Sequence, residues 1–237
     1  MNIILLKKEE IIDNLEIDLS LNDRRSEHIT KVLRSRPGDS IKIGIINGNR
    51  GTGILKELEN SLKIEVQNLN TPPPPPIKAT LIIAMQRPKT MKKILQSATA
   101  MGVKKIYIIE TWKVEKSYWT SPLLNQKNLL EQLLLGLEQA GDTVIPEIII
   151  KKQFKPFVED ELPAIIANTT PIIAHPYSEI PCPHAIRQEA AIAIGPEGGF
   201  TEYEIVKMED IGMKSVNIGE RTLRSEFAVT AILAKLF

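Results

Sequence analysis

Residues 190–205 read AAIAIGPEGGFTEYEI. An apolar run of strand character, Ala190 to Ile194, passes straight into Gly195-Pro196-Glu197-Gly198-Gly199. It emerges at Thr201, which forms the capping-box pattern Thr-x-x-Glu with Glu204 and so opens a helix at residue 201 or 202. A plain turn needs less than one proline, one carboxylate and three glycines. Gly198 and Gly199 permit backbone conformations closed to other residues and let a ligand approach the chain. Neither phosphate-cradling glycine pattern occurs in the sequence, and a carboxylate at Glu197 would repel phosphate. The loop therefore suits a ligand with hydrogen-bonding edges and little negative charge; the alternative is a tight strand-to-helix turn.

Around this stretch the pattern alternates. ATLIIAMQ, VKKIYIIE, VIPEIII, PIIAH, AAIAIG and KSVNIG read as short apolar strands. KTMKKILQSATAMG places Met91, Ile94, Leu95, Ala98 and Met101 at helical spacing, and Gly102 follows as a left-handed cap. LLNQKNLLEQLLLGLEQAG is a longer helix ending at Gly141. Strands alternating with helices over residues 77–237 predict an α/β domain with a mostly parallel sheet. Ligands of such sheets bind beyond the carboxyl ends of strands. Two further strand ends are unusual: Ala174-His175-Pro176, and the run from Ile218 and Gly219 through Glu220, Arg221, Thr222, Leu223, Arg224, Ser225 and Glu226. Ser225 is a candidate N-cap for the closing helix EFAVTAILAKLF. That helix is apolar almost all round, for burial either within the chain or against a second subunit.

Residues 1–71 look mostly β. SIKIGIINGNRGTGILKEL carries the hairpin signal Asn47-Gly48, and LKIEVQNL alternates. SEHITKVLRS reads as a short helix with Ile29, Val32 and Leu33 on one side. A small β-barrel with one helix is predicted, with Gly48, Gly51 and Gly53 as turn glycines. Pro72 to Pro76 separate the two regions as an extended, semi-rigid joint or, alternatively, a ligand for a proline-binding module.

The 237 residues carry a net charge of +1, and 43% of them are hydrophobic. No apolar run approaches the ~18–20 residues that span a bilayer, the N-terminus lacks a signal-peptide pattern, and the single Cys182 excludes an internal disulfide framework. These features fit a cytoplasmic protein. His28, His175, His184 and Cys182 lack metal-ligand spacing, so no metal is expected. Between Lys78 and Lys116 nine basic residues face two acidic ones, and residues 22–36 hold five against two. Such patches are either solvated helix faces or contacts for an acidic polymer.

The pair IGPEGGFTEYE and VNIGERTLRSEFA resembles the signature of SPOUT-class RNA methyltransferases, and more narrowly of the bacterial enzymes that methylate N3 of a uridine in 16S ribosomal RNA. KKILQSATAMGVKKIY and RRSEHITKVLRSRPGDSIKI extend the resemblance over most of the chain. It implies a PUA-like RNA-binding barrel at 1–71, a linker at 72–76 and a SPOUT domain with a trefoil knot at 77–237. It implies a homodimer acting on the small ribosomal subunit, and S-adenosylmethionine held by three loops: Ala174, His175 and Pro176; Ile194, Gly195, Pro196, Glu197, Gly198 and Gly199; and Ile218, Gly219, Thr222 and Leu223. Arg224, or Arg221 in its place, would stabilise the pyrimidine anion, with Glu226 as base or arginine orienter; an ion-pair network at a helix start is the alternative for these three. Arg24, Arg25, Lys31, Arg34, Lys89, Lys92 and Lys93 would hold RNA phosphates. Two departures from the family pattern stand out: Phe227 follows Glu226, and Ala140 and Asp142 occupy LEQAGDT. A non-catalytic rRNA-binding assembly factor and a ribose 2′-hydroxyl methyltransferase are the rival readings.

Overall fold

The structure, a computed structural model, describes residues 2–12 and 15–237. Contacts divide it into two units. One comprises the chain up to Pro75 together with Leu134–Ile145; the other comprises Pro76–Leu133 and Pro146–Phe237.

In the first unit, β1 (Ile4–Leu6), β2 (Ile11–Ile12), β3 (Glu16–Leu19), β4 (Ser40–Ile45), β5 (Arg50–Glu57) and β6 (Leu62–Thr71) form a sheet in the order β1-β4-β5-β6-β3-β2. The β1–β4 pair is parallel and the others are antiparallel. Alternating residues fill the interior: Ile4, Leu6, Ile17, Leu19, Ile41, Ile43, Leu55, Leu62, Ile64 and Val66 are buried with Ile29. The β4–β5 hairpin turns at Asn47, whose φ of 58° is the left-handed conformation that asparagine tolerates. Of the three glycines predicted for turns, only Gly48 lies in one. Gly51 and Gly53 are within β5, where the neighbouring strand comes too close for a side chain: a Cβ on Gly51 would collide with the carbonyl oxygen of Asn68.

Residues 24–33 are helical, but not as one α-helix. α1 (Arg24–Glu27) runs into a wider π-type turn over His28–Leu33. The i→i+5 winding rotates the later residues off the expected face. Ile29 is fully buried, whereas Val32 and Leu33 are exposed, so the three do not share one side as expected.

The second unit is built on six parallel strands in the order β12-β10-β11-β7-β8-β9: β7 (Ala79–Ala84), β8 (Lys105–Ile109), β9 (Glu147–Lys151), β10 (Thr170–Ala174), β11 (Ala190–Ile194) and β12 (Lys214–Val216). Every residue of β7 and β11 is buried, as expected of central parallel strands covered on both faces. Its helices are α2 (Pro88–Ala100), α4 (Phe154–Pro156), α5 (Leu162–Ile166), α6 (Glu202–Asp210) and α7 (Ser225–Leu236), with the first half of α3 (Gln126–Ala140), whose second half belongs to the first unit. α2 packs on α7, burying Met91, Ile94, Leu95 and Ala98 of the former and Val229, Ile232 and Leu233 of the latter. Phe157, Val158, Leu162 and Ile166, with Met208 of α6 and Met213, pack with Ile82, Tyr107, Ile173 and Ala193 of the sheet. Ser225 is the first residue of α7 rather than its cap; the cap position is Arg224, with no side-chain hydrogen bond.

Gly51→Ala is expected to push β5 away from β6. Because the obstacle is backbone, relief requires a register shift, and the variant should melt markedly lower than the parent by circular dichroism. Ile192→Ala in β11, a cavity in a fully buried strand, should cost about 2–5 kcal/mol of unfolding free energy in a denaturant titration.

Candidate active site and its relatives

All six strands are parallel, so their carboxyl ends share one edge of the sheet. β10, β11 and β12 are neighbours there, and the three unusual strand exits are therefore brought together at 174–176, 194–199 and 217–224. The chain leaves β7 toward β8 and β9 on one side and returns to β11, β10 and β12 on the other. This is a topological switch point of the kind where ligands bind.

Local contacts explain the loop after β11. Gln86, fully buried after β7, donates from Nε2 to the carbonyls of Ala84 (2.9 Å) and Gly195 (2.8 Å). Gly195 admits no side chain, since a Cβ would lie 2.9 Å from the Phe200 nitrogen. Gly199 has φ of +68° and donates its N–H to the Pro196 carbonyl (2.8 Å). Glu197, Gly198 and Gly199 are exposed while Gly195 and Pro196 are buried. Glu197 accepts the Arg87 N–H at the start of α2 (2.9 Å). The capping box forms as Thr201 and Glu204 predict. Glu204 does more than the motif implies: buried, it also accepts the Trp112 N–H at 2.6 Å. Lys113 donates to the carbonyls of Gly198 (2.9 Å) and Phe200 (3.4 Å). Two residues of the basic stretch thus brace the loop, a role no motif announces.

The connection from β10 to β11 interlaces with the chain's last segment. His175 N–H donates to Val216, Cys182 N–H to Asn217, and Asn217 N–H to Ile180. Ala185 and Ile186 donate to the carbonyls of Lys235 and Leu236 in α7. Cys182 is buried, and that burial pushes its thiol above the usual range, so it is neither exposed nor activated.

Arg221, Thr222, Leu223 and Arg224 are exposed, and Gly219 takes φ of +156° with open space where a side chain would sit. Among the described residues no ion pair joins Arg221 or Arg224 to an acid. Glu226 instead lies 3.8 Å from Lys93. The expected alternative, a closed ion-pair network of these arginines with Glu226, is therefore not what forms.

The proposed phosphate contacts divide. Arg24 makes two hydrogen bonds to Glu138 (2.8 and 2.6 Å), a carboxylate only 2% exposed. Arg25 is held by Glu10 and Asp23 and donates to the Leu5 carbonyl. Its side chain is 14% exposed, so its guanidinium is committed to the first unit, which counts against the phosphate contact expected of it. Lys31 pairs with Glu27 on the surface, and Arg34, Lys89, Lys92 and Lys93 are exposed. Asp142, one of the two departures, is buried and accepts the N–H groups of Thr143 and Val144. Phe227, the other, is 59% exposed. Among the described residues no group of three or more His, Cys, Asp or Glu is placed to hold a metal, and no helix is long and apolar enough to cross a membrane.

An RNA methyltransferase domain model matches residues 73–236, and an RNA methyltransferase PUA domain model matches residues 21–67. The chain belongs to the RNA methyltransferase family. Ribosomal RNA small subunit methyltransferase E of Treponema pallidum (strain Nichols) is 31% identical over 99% of this chain and 90% of that protein. Ribosomal RNA small subunit methyltransferase E 1 of Borreliella burgdorferi is 26% identical over 98% of this chain and 95% of its own. Among solved structures, the methyltransferase E of Neisseria gonorrhoeae bound to S-adenosyl methionine superposes with a TM-score of 0.72 at 23% identity, covering 98% of this chain and 96% of that one. A Legionella pneumophila putative methyltransferase in complex with the same cofactor gives 0.74 at 22% identity, covering 99% and 96%.

The Arg25 cluster gives this family member a defined acid response. Hydrogen bonds from Arg25 hold both the Glu10 and Asp23 carboxyls below the usual carboxylate range. A depressed folded-state value adds stability above the ordinary value and loses it as pH falls through the depressed one. The melting temperature should therefore fall as pH drops below roughly 4.5. Arg25→Met should lower it at neutral pH and flatten that acid decline in a calorimetric pH series.

Proposed function

We propose that this chain transfers a methyl group from S-adenosylmethionine to N3 of a uridine in 16S ribosomal RNA, acting as a cytoplasmic homodimer. The observation that carries the reading is the convergence of three strand exits, two of them glycine-bearing, on one sheet edge, in a chain matched over nearly its whole length by a small subunit methyltransferase E. Residues 1–71 are assigned to RNA binding, 72–76 to the joint and 77–237 to catalysis.

The cradle fits this cofactor on its own chemistry. The loops at 174–176, 194–199 and 218–223 present backbone at exposed Gly198, Gly199 and Gly219, with room above Gly199 and Gly219. Glu197 adds a negative charge, which a sulfonium tolerates and a phosphate does not. Within those loops Ala174, His175, Pro176, Ile194, Gly195, Pro196, Ile218, Thr222 and Leu223 would form the remaining walls. When bound, S-adenosylmethionine supplies an electrophilic methyl group. The interlacing of 175–189 with 216–218 and the end of α7 supports a trefoil knot as the device that holds the exits together.

The uridine N3 proton must leave as the new bond forms. An exposed guanidinium with no competing carboxylate is suited to stabilise the charge that develops on the flanking carbonyls, and Arg224 is assigned that role, with Arg221 as its neighbour. Glu226, 13% exposed and beside Lys93, is assigned as proton acceptor or as orienter of Arg224. Arg34, Lys89, Lys92 and Lys93 remain for phosphate contacts, which position the RNA and make its affinity fall with salt. The exposed side of α7, with Phe227 and Phe237 uncovered, is the surface assigned to the second subunit.

Arg224→Ala should reduce methyl transfer by roughly 10²-fold or more while S-adenosylmethionine binding, followed by titration calorimetry, stays at the parental level. Mass spectrometry of digested 16S rRNA should place the methyl on a uracil ring. A methyl on ribose would replace N3 chemistry with the 2′-hydroxyl reaction, and a parent chain that does not bind the cofactor would point to an assembly factor.

A further inference from the structure

A concavity lies on the same edge of the sheet as these loops, beyond β8 and β9. It has a volume of about 600 Å³, and its lining includes Glu110, Thr111, Trp112, Phe154, Tyr203 and Glu204. Trp112 is 86% exposed and Tyr203 55% exposed. Thr111, by contrast, is 4% exposed, and its hydroxyl has no hydrogen-bond partner among the described residues. A buried hydroxyl left unpaired is costly, and uncovered aromatic rings within one concavity mark a binding surface more often than an accident of packing. Nothing in the methyl-transfer reading uses any of these groups.

We propose that this concavity binds an unstacked nucleobase of single-stranded RNA, flanking or remote from the nucleotide that is modified. The proposal rests on the reading of the chain as an RNA-modifying enzyme. Unpaired bases are recognised by stacking on aromatic faces and by hydrogen bonds to their edges. Trp112 supplies the face, with Tyr203 beside it. The Thr111 hydroxyl and the half-buried Glu110 carboxylate, which makes no ion pair among the described residues, supply acceptors for base N–H groups. The Glu204 charge does not repel RNA in the same way, because its oxygens already accept from Trp112 N–H, Thr201 N–H and the Thr201 hydroxyl. Exposed Lys116 and Lys155, also lining the concavity, are placed for the phosphates on either side.

The platform is fixed before any ligand arrives. Glu204 holds the Trp112 backbone, and Lys113, the next residue, is tied to Gly198 and Phe200. The Trp112 segment and the Gly195–Gly199 loop are therefore braced together, so that a base captured at one is registered against the other. Pre-organisation of this kind spares the ordering cost of binding.

The test uses the full chain and a short single-stranded oligoribonucleotide of 16S rRNA sequence, titrated against tryptophan fluorescence with S-adenosylmethionine present and absent. Stacking should quench the signal of exposed Trp112, and Trp112→Ala should abolish that quench, leaving only the contribution of Trp119. RNA affinity should weaken roughly 5- to 150-fold in Trp112→Ala, the range spanned by one lost stacking contact. Trp112→Phe should recover part of it, and Thr111→Val should weaken binding less than Trp112→Ala does. An exposed residue is replaced, so folding is preserved, and an unchanged melting curve verifies this. Unaltered RNA affinity in Trp112→Ala overturns the proposal, as does quenching by S-adenosylmethionine alone with none by RNA. A chain that binds RNA through Trp112 but does not bind S-adenosylmethionine would keep this pocket and remove the methyltransfer reading. Methylation with parental KM in Trp112→Ala would do the reverse.

Discussion

The parallel pairing of β10, β11 and β12 is the constraint on which the candidate site depends. Parallel strands place every carboxyl terminus on one edge, so three loops far apart in sequence have no choice but to meet there. What the loops then do is decided by small steric facts. Gly195 must lack a side chain because the chain doubles back onto Phe200, and Gln86 can hold both Ala84 and Gly195 because β7 and β11 are hydrogen-bonded neighbours. The sheet supplies the address, and the glycines supply the access.

A second consequence follows from burial. Glu204 is a carboxylate that stays inside because three donors from two segments converge on it. Charged groups tolerate burial only with such partners. The same atoms that begin α6 therefore also set the position of Trp112. A helix cap and a surface aromatic, which look unrelated along the chain, are one unit of structure. This is why the Trp112 segment and the Gly195–Gly199 loop are braced against each other at the edge of the sheet rather than left loose.

Much of this was legible in the residues. The uninterrupted apolar runs of β7 and β11, the helical spacing in α2, the Thr201–Glu204 box and the Asn47-Gly48 hairpin are local signals with local causes, and each appears where its pattern lies. The failures share a different origin. Val32 and Leu33 have the spacing of an α-helix, but the chain widens to a π-type turn, which no three- or four-residue period reports. Gly51 and Gly53 resemble turn residues until a neighbouring strand, eleven or more residues away in sequence, leaves no room for a Cβ. The bracing by Lys113 and Glu204 links residues about ninety positions apart, and periodicity carries no information at that range.

Charge is where sequence reasoning is weakest, and the arginines show why. Arg25 and Arg224 are the same residue type in similarly polar surroundings of sequence, yet their contacts differ entirely. Arg25 is surrounded by Glu10, Asp23 and a backbone carbonyl, so drawing it toward a phosphate would strand two partly buried carboxylates, a larger penalty than a surface phosphate contact returns. Arg224 caps α7 and, among the described residues, makes no ion pair, so an anion that comes near meets a guanidinium without a fixed counter-ion. Counting basic residues treats the two alike. What separates an arginine committed to the fold from one left open is whether its counter-ion belongs to the fold, and that is a property of three-dimensional neighbours alone.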